Sequence, residues 1–215
     1  MKLDYYPISV TSGEKVPYFS QWESRELVQS IVNRTATARD DPNWVRSGAP
    51  SVDEYAKWAG HLCGIACLRM ILASYCDVVP PAYSLAMQAK EWGAYTEQSG
   101  DIRGLIYQPL VEMVQAEYGL QASVFQGESV EALLELKQRS DFVIASVHHS
   151  IRTPEILPPK KGGHLELIHG TTAKSSFVLH NPSGHTPAAQ ENAVVSSHDF
   201  DKFFAGRGIT IQRKV

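Results

Sequence analysis

In HLCGIACLRMIL, residues 61–72, a cysteine and a glycine stand directly before an apolar run with helical spacing. A thiol at the first position of a helix faces unsatisfied N–H groups and about half a positive charge. Both favour the thiolate, so this placement predicts a Cys63 with a lowered pKa and nucleophilic character. Gly64 has no Cβ and would let the chain and a substrate carbonyl approach closely. A thiol nucleophile needs a base, and the sequence holds eight histidines. GGHLELIHG reads as a strand opened by two glycines, with His164, Glu166 and Ile168 pointing one way and Leu165, Leu167 and His169 the other. His164 stands at the mouth of that strand, where it can face a cleft. The next strand, SFVLHNPSG, ends in Asn181, whose amide can hold an imidazole in one tautomer. This is the logic of nucleophile, base and orienter. A tetrahedral intermediate also needs oxyanion donors, worth about 2.7–4 kcal/mol each. The Cys63 N–H is one; an upstream Gln is the usual second, and VPYFSQW offers Gln21.

Plainer readings exist for the same residues. Free cysteine is among the most buried residue types, so Cys63 alone reads as well as core; Cys67, one turn along, reads as core. His61, Cys63 and Cys67 lack the spacing and the fourth ligand of a zinc site. His148 and His149 read as a solvated strand end, and His169 and His180 as hydrogen-bonded sheet histidines. Three cysteines within fourteen residues make a poor disulfide framework, so free thiols are expected.

The elements that position these groups divide the chain. Helical spacing is read over Glu23 to Asn33, from a Ser51 cap through Trp58, over Cys63 to Tyr75, over Tyr83 to Trp92 and over Leu105 to Tyr118, closed by Gly119. Strand patterns follow at 121–125, 141–148, 164–169, 176–180 and 208–213, with a Ser129-capped helix after the first and a turn or two of helix over Asp199 to Phe204. Helices followed by strands argue for an α+β fold: a helical lobe packed on an antiparallel sheet lobe, with a cleft between. Residues 152–163 (RTPEILPPKKGG) read equally as a solvated connector or as a gate beside His164. Trp22, Trp44 and Trp58 within 22–60 read better as a packed cover than as a substrate wall.

Four landmarks in order, VPYFSQ, CGIACLRMIL, GGHLELIHG and FVLHNPSG, resemble the bacteriocin-processing (double-glycine leader) cysteine peptidase family in a stand-alone form without transporter domains. The resemblance implies a papain-like fold with the active site between the lobes. It also implies Cys63 as nucleophile, His164 as base, Asn181 as orienter and Gln21 as oxyanion donor. Two features depart from the pattern. Residues 22–60 separate Gln21 from Cys63 and read as a helical insertion within one peptidase domain spanning 1–215; Gln29 is a weaker substitute donor because it sits inside a helix. Asn181 stands where Asp is commoner, and an amide orients the ring without neutralising an imidazolium.

The expected activity is hydrolysis of a peptide or amide bond through a thioester acyl-enzyme, with no cofactor or metal and a peptide or protein substrate. Acyl transfer by the same residues is one alternative, and a non-catalytic binding protein on the same fold is another. A formal net charge of −3 gives no basic field to hold nucleic acid or an anionic membrane. No stretch has the ~18 apolar residues of a membrane span. MKLDYYPISVTSGEK has no apolar signal core, so a cytoplasmic location is expected.

Overall fold

The structure, a computed structural model, describes residues 16–153, 155 and 157–214. The opening segment read for a signal core, and loop positions Pro154 and Ile156, lie outside the described residues.

The first helix is shorter than its spacing predicts. The Ser24 N–H and hydroxyl both bond the Asp41 carboxylate, at 3.1 and 2.5 Å, and hold Ser24 in extended backbone. Only a 3₁₀ turn (Arg25–Leu27) and α1 (Val28–Val32) follow. Ser51 opens α2 (Val52–Ala59) by accepting the Glu54 N–H, with Asp53 and Glu54 in the first turn where the helix dipole favours negative charge. α3 (Cys63–Ala73) begins on Leu62 with no side-chain cap. Pro81 precedes α4 (Ala82–Glu91). A hairpin that the sequence did not announce, β1 (Thr96–Gln98) and β2 (Asp101–Arg103), is tied to the helices by Glu97, which bridges Lys57 of α2 and Lys90 of α4. α5 (Tyr107–Tyr118) ends on Gly119 in the left-handed conformation, as expected.

The second half builds one six-stranded sheet. Its strands are β3 (Gln121–Gln126), β4 (Phe142–Val147), β5 (His164–Thr171), β6 (Ser176–His180), β7 (Ala193–Ser196) and β8 (Phe204–Gln212). α6 (Val130–Gln138) is capped by Ser129, while α7 (Pro187–Gln190) and α8 (Ser197–Asp201) flank β7. The order is β3-β8-β4-β5-β6-β7, and every neighbouring pair is antiparallel. β8 starts four residues before the expected Gly208. Gly206 is left-handed (φ 67) and the β4–β8 register shifts between Ala145 and Val147, so the strand bends there and continues.

Alternation along the strands makes two cores. Ile144, Leu165, Leu167, Ile209 and Ile211 face α3 and α5 in the larger cluster; Val143, Ala145, Val147 and Ile168 face Phe177, Phe200 and Phe203 in the second. α3 lies against β5, with Ile65, Leu68, Met70, Ile71 and Leu72 at 1% exposure or less. Each is worth about 1.5–3 kcal/mol in burial, which fixes the helix and the position of its first residue. Trp58 joins this core, whereas Trp22, Val28, Tyr55 and Ala59 form a small separate cluster with Trp44 packed on it.

Gly64 is where α3 meets β5 most closely. A Cβ there would come within 2.5 Å of Leu105 Cδ2 and 2.7 Å of Leu165 Cδ1. The space that the sequence reading gave to a substrate is filled by two leucines, so the glycine serves helix–strand packing. Gly64→Ala should therefore destabilise by about 1 kcal/mol in urea unfolding: overpacking costs about 1–3 kcal/mol, and the helix propensity of alanine returns about 1.

Candidate active site

Asn181 lies just past β6, where the chain turns at Pro182, and its side chain is the key to the site. Its Oδ1 accepts the Ser183 backbone N–H at 2.9 Å. A backbone N–H only donates, so the amide oxygen must face it, and this fixes which way the amide points. The same oxygen lies 2.9 Å from His164 Nε2. An amide oxygen only accepts, so Nε2 carries the proton, and Nδ1 keeps a lone pair. Ser183 Oγ, 3.0 Å from Nε2 and 3.3 Å from Oδ1, braces both. His164, Asn181 and Ser183 are all buried.

Burial in this pocket, with Arg152 nearby as a second cause, pushes the His164 pKa down to about 3. The Asn181 bond acts the other way and loses. The imidazole is thus neutral at physiological pH, with Nδ1 able to accept a proton.

Cys63 is the first residue of α3 and is partly buried. Its sulfur is acted on by the backbone N–H groups of Leu165 and Gly64, which places it against the start of β5, one residue on from His164. The lowered thiol pKa expected at a helix N-terminus is not found. Burial raises it, and the N–H groups and Arg152 offset that only in part. The desolvation of a sulfur packed under a strand outweighs the helix-end charge here. Among the described residues no hydrogen bond joins Cys63 Sγ to His164. Cys67 is fully buried as expected, its thiol 3.8 Å from the Leu165 carbonyl.

Gln21 reaches the same neighbourhood from the N-terminal side. Tyr18 Oη and Ser20 Oγ donate to the carbonyls of Asn181 and Pro182, and the Gln21 N–H donates to Pro182 O at 2.8 Å. Its side-chain Nε2 donates at 2.9 Å to the carbonyl of Ala59, the last residue of α2, just before the turn that leads into Cys63. One of the two amide protons is used in this way. Gln29 lies on α1.

Three further residues, to which the sequence pattern gave no role, belong to this setting. Ser183 is one; its signal was the Asn-x-Ser turn, in which an Asn side chain bonds the N–H two residues on. Glu166 shares the His164 face of β5 and is 1% exposed. Burial pushes its pKa up to about 8, against the lowering pull of Arg152 and Asn181. An acid inside the apolar run LELI was the visible sign. Arg152, at the end of the 3₁₀ turn His149–Arg152, acts on Cys63, His164 and Glu166 alike.

Two of the remaining histidines have structural bonds. His148 is buried, not a solvated strand end: its Nδ1 accepts the Ser150 N–H and caps the turn. His180 bonds the Val16 carbonyl and stacks on His169 at 4.3 Å. No group of three His, Cys, Asp or Glu side chains gathers as a metal would require among the described residues. Two cavities, of about 180 and 260 Å³, lie at the β3–β8 edge and beside Tyr18 to Glu26; neither is lined by Cys63 or His164. No helix among the described residues is long and apolar enough to cross a membrane.

Among solved structures, the chain is similar to the peptidase domain of Streptococcus ComA, a bifunctional ABC transporter involved in a quorum-sensing pathway. The TM-score is 0.50 at 15% identity, over 72% of this chain and 93% of that one. At that identity the likeness carries the fold: helices packed on an antiparallel sheet, the papain-like arrangement. No protein-family model matches the sequence, and no curated protein does.

Proposed function

We propose that this chain is a cysteine peptidase or amidase in which Cys63, His164, Asn181 and Gln21 act together. The observation that carries this reading is the relay from the Ser183 N–H through Asn181 to His164, which leaves a lone pair on Nδ1. Attack by the Cys63 sulfur on a carbonyl carbon would pass its proton to Nδ1. The Cys63 N–H and the second Gln21 amide proton would meet the developing oxyanion. Collapse to the thioester would return the proton from Nδ1 to the leaving amine, and water would then release the acid. Thiol and imidazole are both neutral at rest, so the proton moves with the attack and no ion pair precedes it. Catalytic hydrogen bonds are often long before substrate binds and tighten in the complex.

One observation favours a second reading, a binding protein that kept the fold without turnover: the missing bond between Cys63 and an almost fully buried His164. Incubation with a random peptide library, read by mass spectrometry for new termini, separates the two. Cleavage that falls at least about 10³-fold in Cys63→Ala supports the peptidase. Cleavage that survives this substitution, or no cleavage in the native protein, removes it. Added glycinamide would appear in new amide products if the acyl-enzyme is intercepted by amines, the mark of an acyltransferase.

A further inference from the structure

Arg152 is a charge without an answer. It ends the 3₁₀ turn that leaves β4, whose Val147 is the register partner of His164, so the turn stands at the same end of the sheet as the site. Its Nε is buried with no hydrogen-bond partner. No hydrogen bond or ion pair is made by its guanidinium among the described residues. Such a fork of donors ordinarily closes on a carboxylate.

Burial lowers the Arg152 pKa, and the groups that pull it back are those of the site, Glu166 and Cys63; Arg152 in turn adds to the burial that lowers the pKa of His164. Glu166 does not neutralise it, since that buried carboxyl keeps its proton at neutral pH and its Oε2 is also without a partner. His148 and His149 are pushed towards neutrality by burial first, with Arg152 a smaller cause. The site at neutral pH therefore holds one uncompensated positive charge beside the thiol, with a protonated carboxyl as a further donor.

We propose that Arg152 forms a carboxylate subsite next to Cys63, so that the substrate carries an acidic group within about one residue of the carbonyl under attack. This rests on Cys63 being the nucleophile. A substrate carboxylate would restore neutrality and pair the orphaned Nε.

Two alkylating reagents of matched size test it without a known substrate. Iodoacetate carries the carboxylate and iodoacetamide does not. With each, the sulfur–carbon bond forms as iodide leaves and the thiol proton passes to solvent. Labelling is located by mass spectrometry, since Cys76 is also partly exposed. The iodoacetate-to-iodoacetamide rate ratio at Cys63 should exceed that of free glutathione by about tenfold, as expected for a nearby unscreened opposite charge. It should fall to the glutathione value in Arg152→Gln and survive in Arg152→Lys, which keeps the charge.

If Arg152→Gln slows both reagents equally, the arginine only steadies the thiolate and the subsite is wrong. An unchanged ratio also sinks it. If iodoacetamide leaves Cys63 unlabelled even at pH 9, the nucleophile reading fails, and the subsite falls with it.

Discussion

Replacing His164 by alanine should lower hydrolysis at pH 7 by about 10³-fold, within the range of about 10²–10⁴ that general base catalysis supplies. The size follows from the Cys63 environment. Burial raises the thiol above its ordinary pKa, so the thiolate is scarce at neutral pH and attack depends on a base taking the proton as the bond forms. In the proposed mechanism Nδ1 would be that base, because Asn181 holds the proton on Nε2. Neighbouring groups cannot replace it: a guanidinium does not accept a proton, and Glu166 already holds one. Residual activity of His164→Ala should then climb about tenfold per pH unit between pH 7 and 9, as hydroxide generates the thiolate, while the native protein is flatter over that range. The Asn181 amide keeps its bond to the Ser183 N–H in this variant, so the local turn has a reason to persist. Initial rates from pH 6 to 9 decide the matter. A loss smaller than tenfold, or a residual rate that does not rise with pH, would remove His164 from the role of base.

What could be read from the sequence was what is governed locally. β6 begins and ends at Ser176 and His180 as its pattern predicts, because its flanks are self-contained turns. Thr172 Oγ1 accepts the Lys174 and Ser176 N–H groups on one side, and Asn181 folds onto Ser183 on the other. The Ser51 and Ser129 caps and the Gly119 stop were legible for the same reason. The start of α3 at Cys63 was legible because apolar spacing sets a helix phase. Elements held by distant partners were not. The hairpin at 96–103 exists because two lysines from two helices converge on Glu97. β7 is an edge strand of four mostly half-exposed residues that pairs only with β6. At the site, residue identities were readable but electrostatics were not. A cysteine at a helix start suggests an acidic thiol, and only the packing of β5 over it shows that burial prevails. Arg152 could not be connected to Cys63 from spacing at all, because the link passes through the β4–β5 register.

Stability should peak near pH 6.5 and decline by about 1 kcal/mol by pH 8, and Glu166→Gln should abolish that decline. The folded state holds Glu166 near pKa 8, against 4.5 for an ordinary carboxyl, so the native protein keeps a proton that the unfolded chain loses. A raised folded pKa gives stability that is complete below 4.5 and is lost as pH rises towards 8. His164 has the opposite sign. Its pKa is about 3 when folded against 6.5, so the unfolded chain binds a proton that the native state refuses, and stability is lost as pH falls from 6.5 towards 3. Between pH 4.5 and 6.5 the two slopes cancel. His169, lowered to about 4 by burial, tips that interval upward by about 1 kcal/mol per pH unit. Above 6.5 the unfolded histidines shed their remaining half-proton within about one pH unit, so their opposing slope fades and Glu166 comes to dominate, at up to about 1.4 kcal/mol per pH unit. The buried thiols, whose pKa values are raised, add their own loss only above the ordinary thiol range. In Glu166→Gln the carboxyl is replaced by a neutral amide of similar shape, so the curve should rise until about pH 7.5 and then stay level to pH 8. Urea midpoints at half-unit intervals from pH 4.5 to 8 measure both curves, provided the m-value is constant. A native protein whose midpoint is flat from pH 6.5 to 8 would mean that Glu166 ionises freely when folded. A decline that persists in Glu166→Gln would assign it to another group. Either result would also withdraw the protonated donor from beside Arg152.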